Sequence, residues 1–244
     1  MSQSQVLIFQ HVEWEKPGRI LDNLEEMFVP TQILNIAKQK KPDLPDFKDV
    51  AGVVIMGGPM GAQDYDDYPG LKAEAKLVKA ATAVGKPVLG ICLGHQIIAG
   101  ALGGKLKQGK APEIGFGPIT RVEQHDYFQM WSKSLEVLHW HNDVVSLPQG
   151  AQVLARSPLT KVQAFRAGSA LGLQFHLEVT ATLFEEWLSE PSMVKDAKKA
   201  GVSVEKLRDD FDEYNPRLLP LAESVFSSFA ARCSTYAKAL DENQ

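Results

Sequence analysis

Two cysteines occur in 244 residues, and one of them, Cys92, sits in Gly90-Ile91-Cys92-Leu93-Gly94, after an apolar run and before a segment rich in small residues. A glycine, any residue, a nucleophile, any residue, a glycine: this spacing marks a sharp strand-to-helix turn that lifts the central side chain above a sheet. Bulk at the flanking positions would clash in so tight a turn. The helix that follows directs its free N–H groups and partial positive charge at the sulfur, so the expectation is a site that favours thiolate. Taken alone, the pattern leaves ahead the reading of a small buried cysteine that only packs. His176 and Glu178 shift the balance. They stand two apart in "LGLQFHLEVT" (171–180), and in extended backbone both side chains share one face while Leu177 takes the other. Glu178 can then orient His176, and His176 can serve Cys92 as base, which is the division of labour of a catalytic triad. The chain order Cys, His, Glu departs from that of α/β-hydrolases, where the acid precedes the histidine.

A third block, "VVIMGGPMGAQDYDDYPG" (53–70), puts Gly57-Gly58-Pro59 after a buried run. Its backbone N–H groups would face the same carboxyl edge of the sheet as Cys92. One of them, with the N–H of Leu93, would make an oxyanion hole. Other groupings are weaker. His139 and His141, with Asp143, make half of a metal site, but no third histidine has motif spacing, so no metal and no cofactor are expected. His95 reads as structural. His11, Glu13, Trp14 and Glu15 follow the first strand and either line the pocket mouth or form a solvated loop. "DYDDYP" (64–69) reads as a surface turn, and Cys233 as packing.

Alternating elements must carry these residues. "QVLIFQH" (5–11) reads as a strand and "GRILDNLEEMF" (18–28) as a helix by its apolar spacing. "QILNIA" (32–37) and "DVAGVVIMGG" (49–58) read as strands. "GLKAEAKLVKAATAVG" (70–85) reads as a helix closed by Gly85, followed by the strand "PVLGI" (87–91). Such alternation predicts parallel strands covered on both faces by helices. After Gly104 the segments shorten and turn residues multiply, which predicts a smaller mixed or antiparallel sheet, with a hairpin over 162–175. From about 180 to 244 a helical extension is expected, with short solvated helices over 189–216, rather than a lid, and a terminal helix over 223–240.

Length and composition set the bounds. With 44% hydrophobic residues the chain can bury a large core, and one domain over 1–244 is the expectation. Lys and Arg number 26 against 30 Asp and Glu, so no nucleic-acid or anionic-membrane surface is implied. No signal-peptide pattern or membrane-length apolar run is seen, and two cysteines without CxxC spacing fit a reduced, cytoplasmic setting.

Taken together, "GGP", "PVLGICLGHQ" and "GLQFHLEV" resemble the three signature blocks of class I, triad-type glutamine amidotransferases. The likeness runs from about residue 5 to 180 and includes the glutamine-hydrolysing half of GMP synthase and stand-alone relatives such as γ-glutamyl peptidases. It implies a flavodoxin-like three-layer α/β fold with a mostly parallel central sheet. It also implies Cys92, His176 and Glu178 as the triad, Gly58 and Leu93 as oxyanion donors, and Gly57, Gln96, His141, Asn142 and Asp143 around the substrate. Two positions depart from the family pattern: Leu177 stands where proline is usual, and Asn142 where glycine is frequent. The implied reaction is hydrolysis of glutamine's side-chain amide through a γ-glutamyl thioester. A separate synthetase subunit would then take the ammonia, because 244 residues hold neither a synthetase domain nor a P-loop. A γ-glutamyl peptidase is the alternative, and a non-hydrolytic thiol sensor is the alternative from another class.

Overall fold

The computed structural model describes residues 4–123, 126–128 and 131–242; residues 1–3 of the opening segment lie outside them. Strand β1 (Gln5–Phe9) leads through helix α1 (Arg19–Glu26) to β2 (Thr31–Leu34), then β3 (Val50–Ile55), α2 (Leu71–Ala83), β4 (Val88–Ile91) and α3 (Leu93–Ala101). All of these fall where the alternation of patterns predicts, and Gly85 has the left-handed φ of 75° that ends the second helix. Strands β5 (Leu106–Arg121), β6 (Ser134–Val145), β7 (Gln152–Arg156), β8 (Ala164–Ala167) and β9 (Ala170–Leu173) follow, then α4 (Ala181–Ser189), α5 (Pro191–Lys199) and α6 (Val204–Asp241). The strands form one sheet in the order β2-β1-β3-β4-β9-β8-β7-β5-β6. Its first five places repeat the flavodoxin-like pattern, with β9 in the fifth. The expected smaller antiparallel sheet is therefore a continuation of the parallel one. The β8–β9 hairpin joins them, since β9 pairs parallel with β4 and antiparallel with β8.

Alternation along the strands builds two cores. In β1, Val6 and Ile8 pack with α1 and α6, while Leu7 and Phe9 pack with α2 and α3. Burial on both faces explains why these strands are nearly continuous apolar runs. A third cluster gathers Val179, Leu183, Phe184, Trp187, Met193, Leu207 and Phe211 against Leu138 of β6.

The carboxyl-terminal region corrects the expectation of short solvated helices followed by a separate terminal one. One helix of 38 residues runs from Val204 to Asp241 with Pro216 and Pro220 inside it. Each proline removes an N–H donor and normally interrupts a helix. Here Leu218, Leu221, Ala222, Val225, Phe226 and Phe229 bury a continuous face against the sheet, and that packing outweighs the local break. Helix starts are marked as the sequence rules predict, with Thr180 and Ser203 accepting hydrogen bonds from Leu183 N and Lys206 N. Among the described residues no helix is long and apolar enough to cross a membrane.

Candidate active site

Cys92 connects β4 to α3 with φ 51° and ψ −101°, a strained conformation that costs on the order of 1–3 kcal/mol for a residue with a side chain. The glycines around it are required by contact. A β-carbon on Gly90 would meet the Gly94 carbonyl at 2.5 Å, and one on Gly94 would overlap the backbone carbonyl of Ile55. The turn is pinned by Cys92 N–H donating to Leu173 O at 2.8 Å, which ties the elbow to β9. Leu93 opens α3, so its N–H has no acceptor within the helix. The sulfur differs from expectation. Cys92 is 7% exposed, and burial pushes the thiol pKa up even though His176 pulls it down. The thiol accordingly donates to Trp140 O at 3.6 Å. Desolvation of the charged form has outweighed the helix end.

His176 and Glu178 do meet, though not on a regular strand. β9 ends at Leu173, and beyond it a single bridge to Leu138 holds His176. His176 Nδ1 and Glu178 Oε1 are 2.7 Å apart, and Glu178 Oε2 accepts from Leu177 N–H at 3.1 Å. Glu178 thus fixes the tautomer: Nδ1 carries the proton and Nε2 is left without a hydrogen-bond partner. Burial would lower the His176 pKa, but the Glu178 carboxylate, joined by Cys92 once its sulfur carries charge, outweighs it and raises it well above the ordinary value, which makes Nε2 a strong acceptor for the thiol's proton. Leu177 points into the core beneath the sheet, and its N–H, which a proline would lack, donates to Glu178 Oε2.

Several distant residues hold this bent segment. Arg19 donates through Nη1 to the carbonyls of Leu177 and Val179 and through Nη2 to Asn215 Oδ1 at 2.9 Å. Gly18, at φ 46°, lets the chain lie on the Glu178 carbonyl, where a β-carbon would overlap it. Trp187 stacks edge-on to His176 with ring centres 4.8 Å apart, and its Nε1–H donates to Trp14 O at 2.6 Å.

Cys92 and His176 open into a cavity of about 520 Å³ whose walls include Gly58, Leu93, Gln96, His141, Asn142 and Asp143. Gly57 is not in that wall. It stands behind it, its carbonyl accepting from His11 Nδ1–H at 2.8 Å while His11 Nε2 meets Glu74 at 3.0 Å. Burial lowers the His11 pKa, yet the bond to Glu74 outweighs it and raises it, so both ring nitrogens donate. The C=O and N–H of a trans peptide point in opposite directions, which leaves the Gly58 N–H on the side away from His11. Gln96 reaches Asp143 O and Gln174 Oε1 at 3.4 and 3.3 Å. Asn142 lies opposite a break in the β5–β6 register, between Gln108 and Glu113, which makes room for its side chain beside Pro112.

The reading of 189–216 as solvated helices rather than a cover over the site is corrected at the roof of this cavity. Ser192, Met193, Asp196 and Lys199 of α5 line it, as do Trp140 and Trp187. Of the loop after β1, Trp14 and Glu15 reach the cavity and Glu13 does not. His95 is fully buried edge-on to Phe165, and burial keeps it neutral with a pKa down at about 3, the structural role expected of it. Among the described residues the group able to hold a cation is Glu113, His139 and His141, whose donor atoms lie within 4.8 Å of one another, and Asp143, grouped with the two histidines from the sequence, is not part of it. Glu113 supplies the third donor that spacing could not reveal. Its carboxylate already accepts from Thr160 Oγ1 at 2.6 Å and Gln163 Nε2 at 3.0 Å, so these side chains brace neighbouring strands.

The family pattern for class I glutamine amidotransferases matches residues 18–195. The glutamine amidotransferase-like protein YfeJ of Salmonella typhimurium is 34% identical over 148 residues, 58% of this chain and 62% of that protein. The chain thus spans less than two thirds of YfeJ. One of the subunits of the glutamine-hydrolysing GMP synthase of Sulfolobus acidocaldarius is 36% identical over 140 residues, 56% of this chain and 72% of that relative. A glutamine amidotransferase structure from Thermotoga maritima superposes with a TM-score of 0.84 at 31% identity, covering 94% of this chain and 99% of that one. Another from Methylobacillus flagellatus gives 0.85 at 29%, covering 95% and 96%. The elbow, the paired His176 and Glu178 and the glycine loop fall within the matched region, and the chain belongs to the class I glutamine amidotransferase family.

Proposed function

We propose that the chain is a glutaminase that hydrolyses the side-chain amide of glutamine through a γ-glutamyl thioester on Cys92. The observation that carries this reading is the His176–Glu178 pair at 2.7 Å, which leaves an unpartnered Nε2 in the cavity that holds the Cys92 thiol. The sulfur attacks the amide carbon as its proton passes to Nε2, and the oxyanion is met by the N–H groups of Leu93 and Gly58. Collapse returns the proton from Nε2 to the leaving nitrogen, and ammonia departs. Water then gives its proton to Nε2, attacks the thioester, and releases glutamate and the thiol. Gln96, Asn142, Asp143 and His141 hold the amino-acid end, and the Gly57 loop presents the Gly58 N–H from behind the cavity wall. Ammonia passes to an acceptor on another chain, a synthetase by analogy with the relatives that are single subunits of GMP synthase. A buried catalytic thiol suits a reducing, cytoplasmic setting. A thiol sensor would have no use for an oriented base.

The extent of the cavity favours a second reading. It runs past Cys92 to Asp196 and Lys199 on α5, more room than ammonia needs, and a γ-glutamyl peptidase would place its leaving amine there. The test is ammonia release from glutamine beside amine release from γ-glutamyl dipeptides, using the parent chain and Cys92→Ala. The glutaminase reading expects Cys92-dependent turnover of glutamine, stimulated by a partner, and a γ-glutamyl adduct on Cys92 after treatment with a glutamine-mimicking chloroketone. Efficient unaided cleavage of dipeptides in preference to glutamine selects the peptidase. Turnover unchanged in Cys92→Ala would overturn both.

A further inference from the structure

Glu15 leaves β1 at the carboxyl edge of the sheet and is only 8% exposed. A β-carbon added to Gly57 would overlap the Glu15 carboxylate and stand 3.6 Å from Cys92 Cβ, so acid and nucleophile flank the same glycine. Among the described residues the carboxylate has no hydrogen-bond or ion-pair partner, yet it opens into the cavity of Cys92 and His176. The imidazole on the same loop, His11, is engaged by Glu74 and the Gly57 carbonyl. A buried carboxyl without a partner is costly to the fold unless a ligand supplies the missing donor. Burial lifts its pKa to about 7 against the pull of His176, so it ionises readily when a donor arrives.

The position of Glu15 indicates which donor. Gln96 and Asp143 are tied to each other on the side of Cys92 assigned to the amino-acid end of the substrate. The carbonyl of the neighbouring Trp14 is instead tied to Trp187, whose ring lies edge-on to His176, and Glu15 and His176 line one cavity, which sets Glu15 at the end where His176 protonates the leaving group. A scissile amide nitrogen carries N–H bonds that become stronger donors as the nitrogen gains a proton, and Leu93 and Gly58 offer only donors. Resting on the acyl-transfer reading above, we infer that Glu15 is a catalytic residue that accepts a hydrogen bond from the leaving nitrogen. It thereby selects substrates whose scissile bond is an amide over those whose scissile bond is an ester.

The test compares kcat/KM, which reports acylation, for glutamine and for the γ-methyl ester of glutamate, whose leaving oxygen has no N–H. In Glu15→Met, which keeps the length but removes the acceptor, kcat/KM for glutamine should fall at least about tenfold while that for the ester stays within about twofold of the parent. Glu15→Gln keeps a carbonyl acceptor without the charge and should fall between; it carries the test if the methionine variant does not fold. Parallel losses on both substrates would mean that Glu15 acts on the Cys92–His176 pair in general, and no loss on either would make it a bystander; each overturns the inference. Cys92→Ala separates the failures. If the parent shows no Cys92-dependent turnover of either substrate, the acyl-transfer reading falls and takes the inference with it.

Discussion

Cys92 and His176 belong to one site but are held by opposite means. The elbow is local: Gly90, Cys92 and Gly94 lie within five residues, and their strain is set by contacts with Ile55, Ile98 and each other. The His176–Glu178 segment has almost no regular structure of its own and is fastened by Arg19, Gly18, Leu138, Trp187 and Asn215, gathered from the whole chain. The nucleophile is therefore placed by a strained turn wedged between β3 and β9, and the base by scattered side-chain contacts that can be loosened one at a time.

The largest effect should come from removing the base outright. His176→Ala is expected to lower kcat by about three orders of magnitude or more, and Glu178→Gln by less, since the imidazole keeps its place but loses its preferred tautomer. Steady-state rates on glutamine rank the two, and a harmless Glu178→Gln would reduce the triad to a dyad. Next is Gly94→Ala, which drives a methyl into the Ile55 carbonyl. It should destabilise the fold by roughly 3 kcal/mol or more, at or beyond the upper end of ordinary single substitutions, and denaturant midpoints would reveal it. If the variant is as stable as the parent, the elbow is less rigid than its contacts imply.

Loosening the base from a distance should act by degrees. Arg19→Ala removes the donors to Leu177, Val179 and Asn215 and is expected to cost at least about 2–3 kcal/mol, the worth of one hydrogen bond from a charged group. It should slow kcat about tenfold while KM moves little. Equal losses in kcat and stability from a variant at the elbow would erase the contrast between the two regions.

Acid should separate the regions by sign. His95, on the elbow helix, has its pKa depressed to about 3. Its contribution is complete above the unfolded value of 6.5 and is lost as pH falls from there toward 3. His176 is raised, so its contribution is complete below 6.5 and is lost only as pH climbs through its folded pKa. Between pH 7.5 and 5 His95 should therefore cost the fold roughly 2 kcal/mol, at about 1.4 per pH unit below 6.5, read as the difference between parent and His95→Leu of roughly 4–8 °C in the Tm change, because His139 titrates in the same direction and Glu15 in the opposite one. His95→Leu should flatten that slope. The smallest effect is expected from Trp187→Phe, which keeps the ring on His176 but drops the hydrogen bond to Trp14 O. About 1 kcal/mol of stability and a rate change within about fivefold would confirm that packing, more than this bond, seats the imidazole.

The sequence by itself determined the elbow, the strand and helix order up to Ala101, and the identity of the paired histidine and glutamate. Those features repeat at short range: glycine spacing, period-2 and period-3.6 apolar patterns, and two side chains two residues apart. Tertiary structure decided the rest. Only packing could carry α6 through Pro216 and Pro220, because a continuous buried face outweighs two missing donors. Only burial could turn Cys92 from the expected thiolate to a thiol. The roof from α5, the third donor at Glu113 and the unpaired Glu15 beside Gly57 all depend on residues far apart in the chain. No local pattern records them, because the forces that bring them together act between elements and leave no period in the sequence.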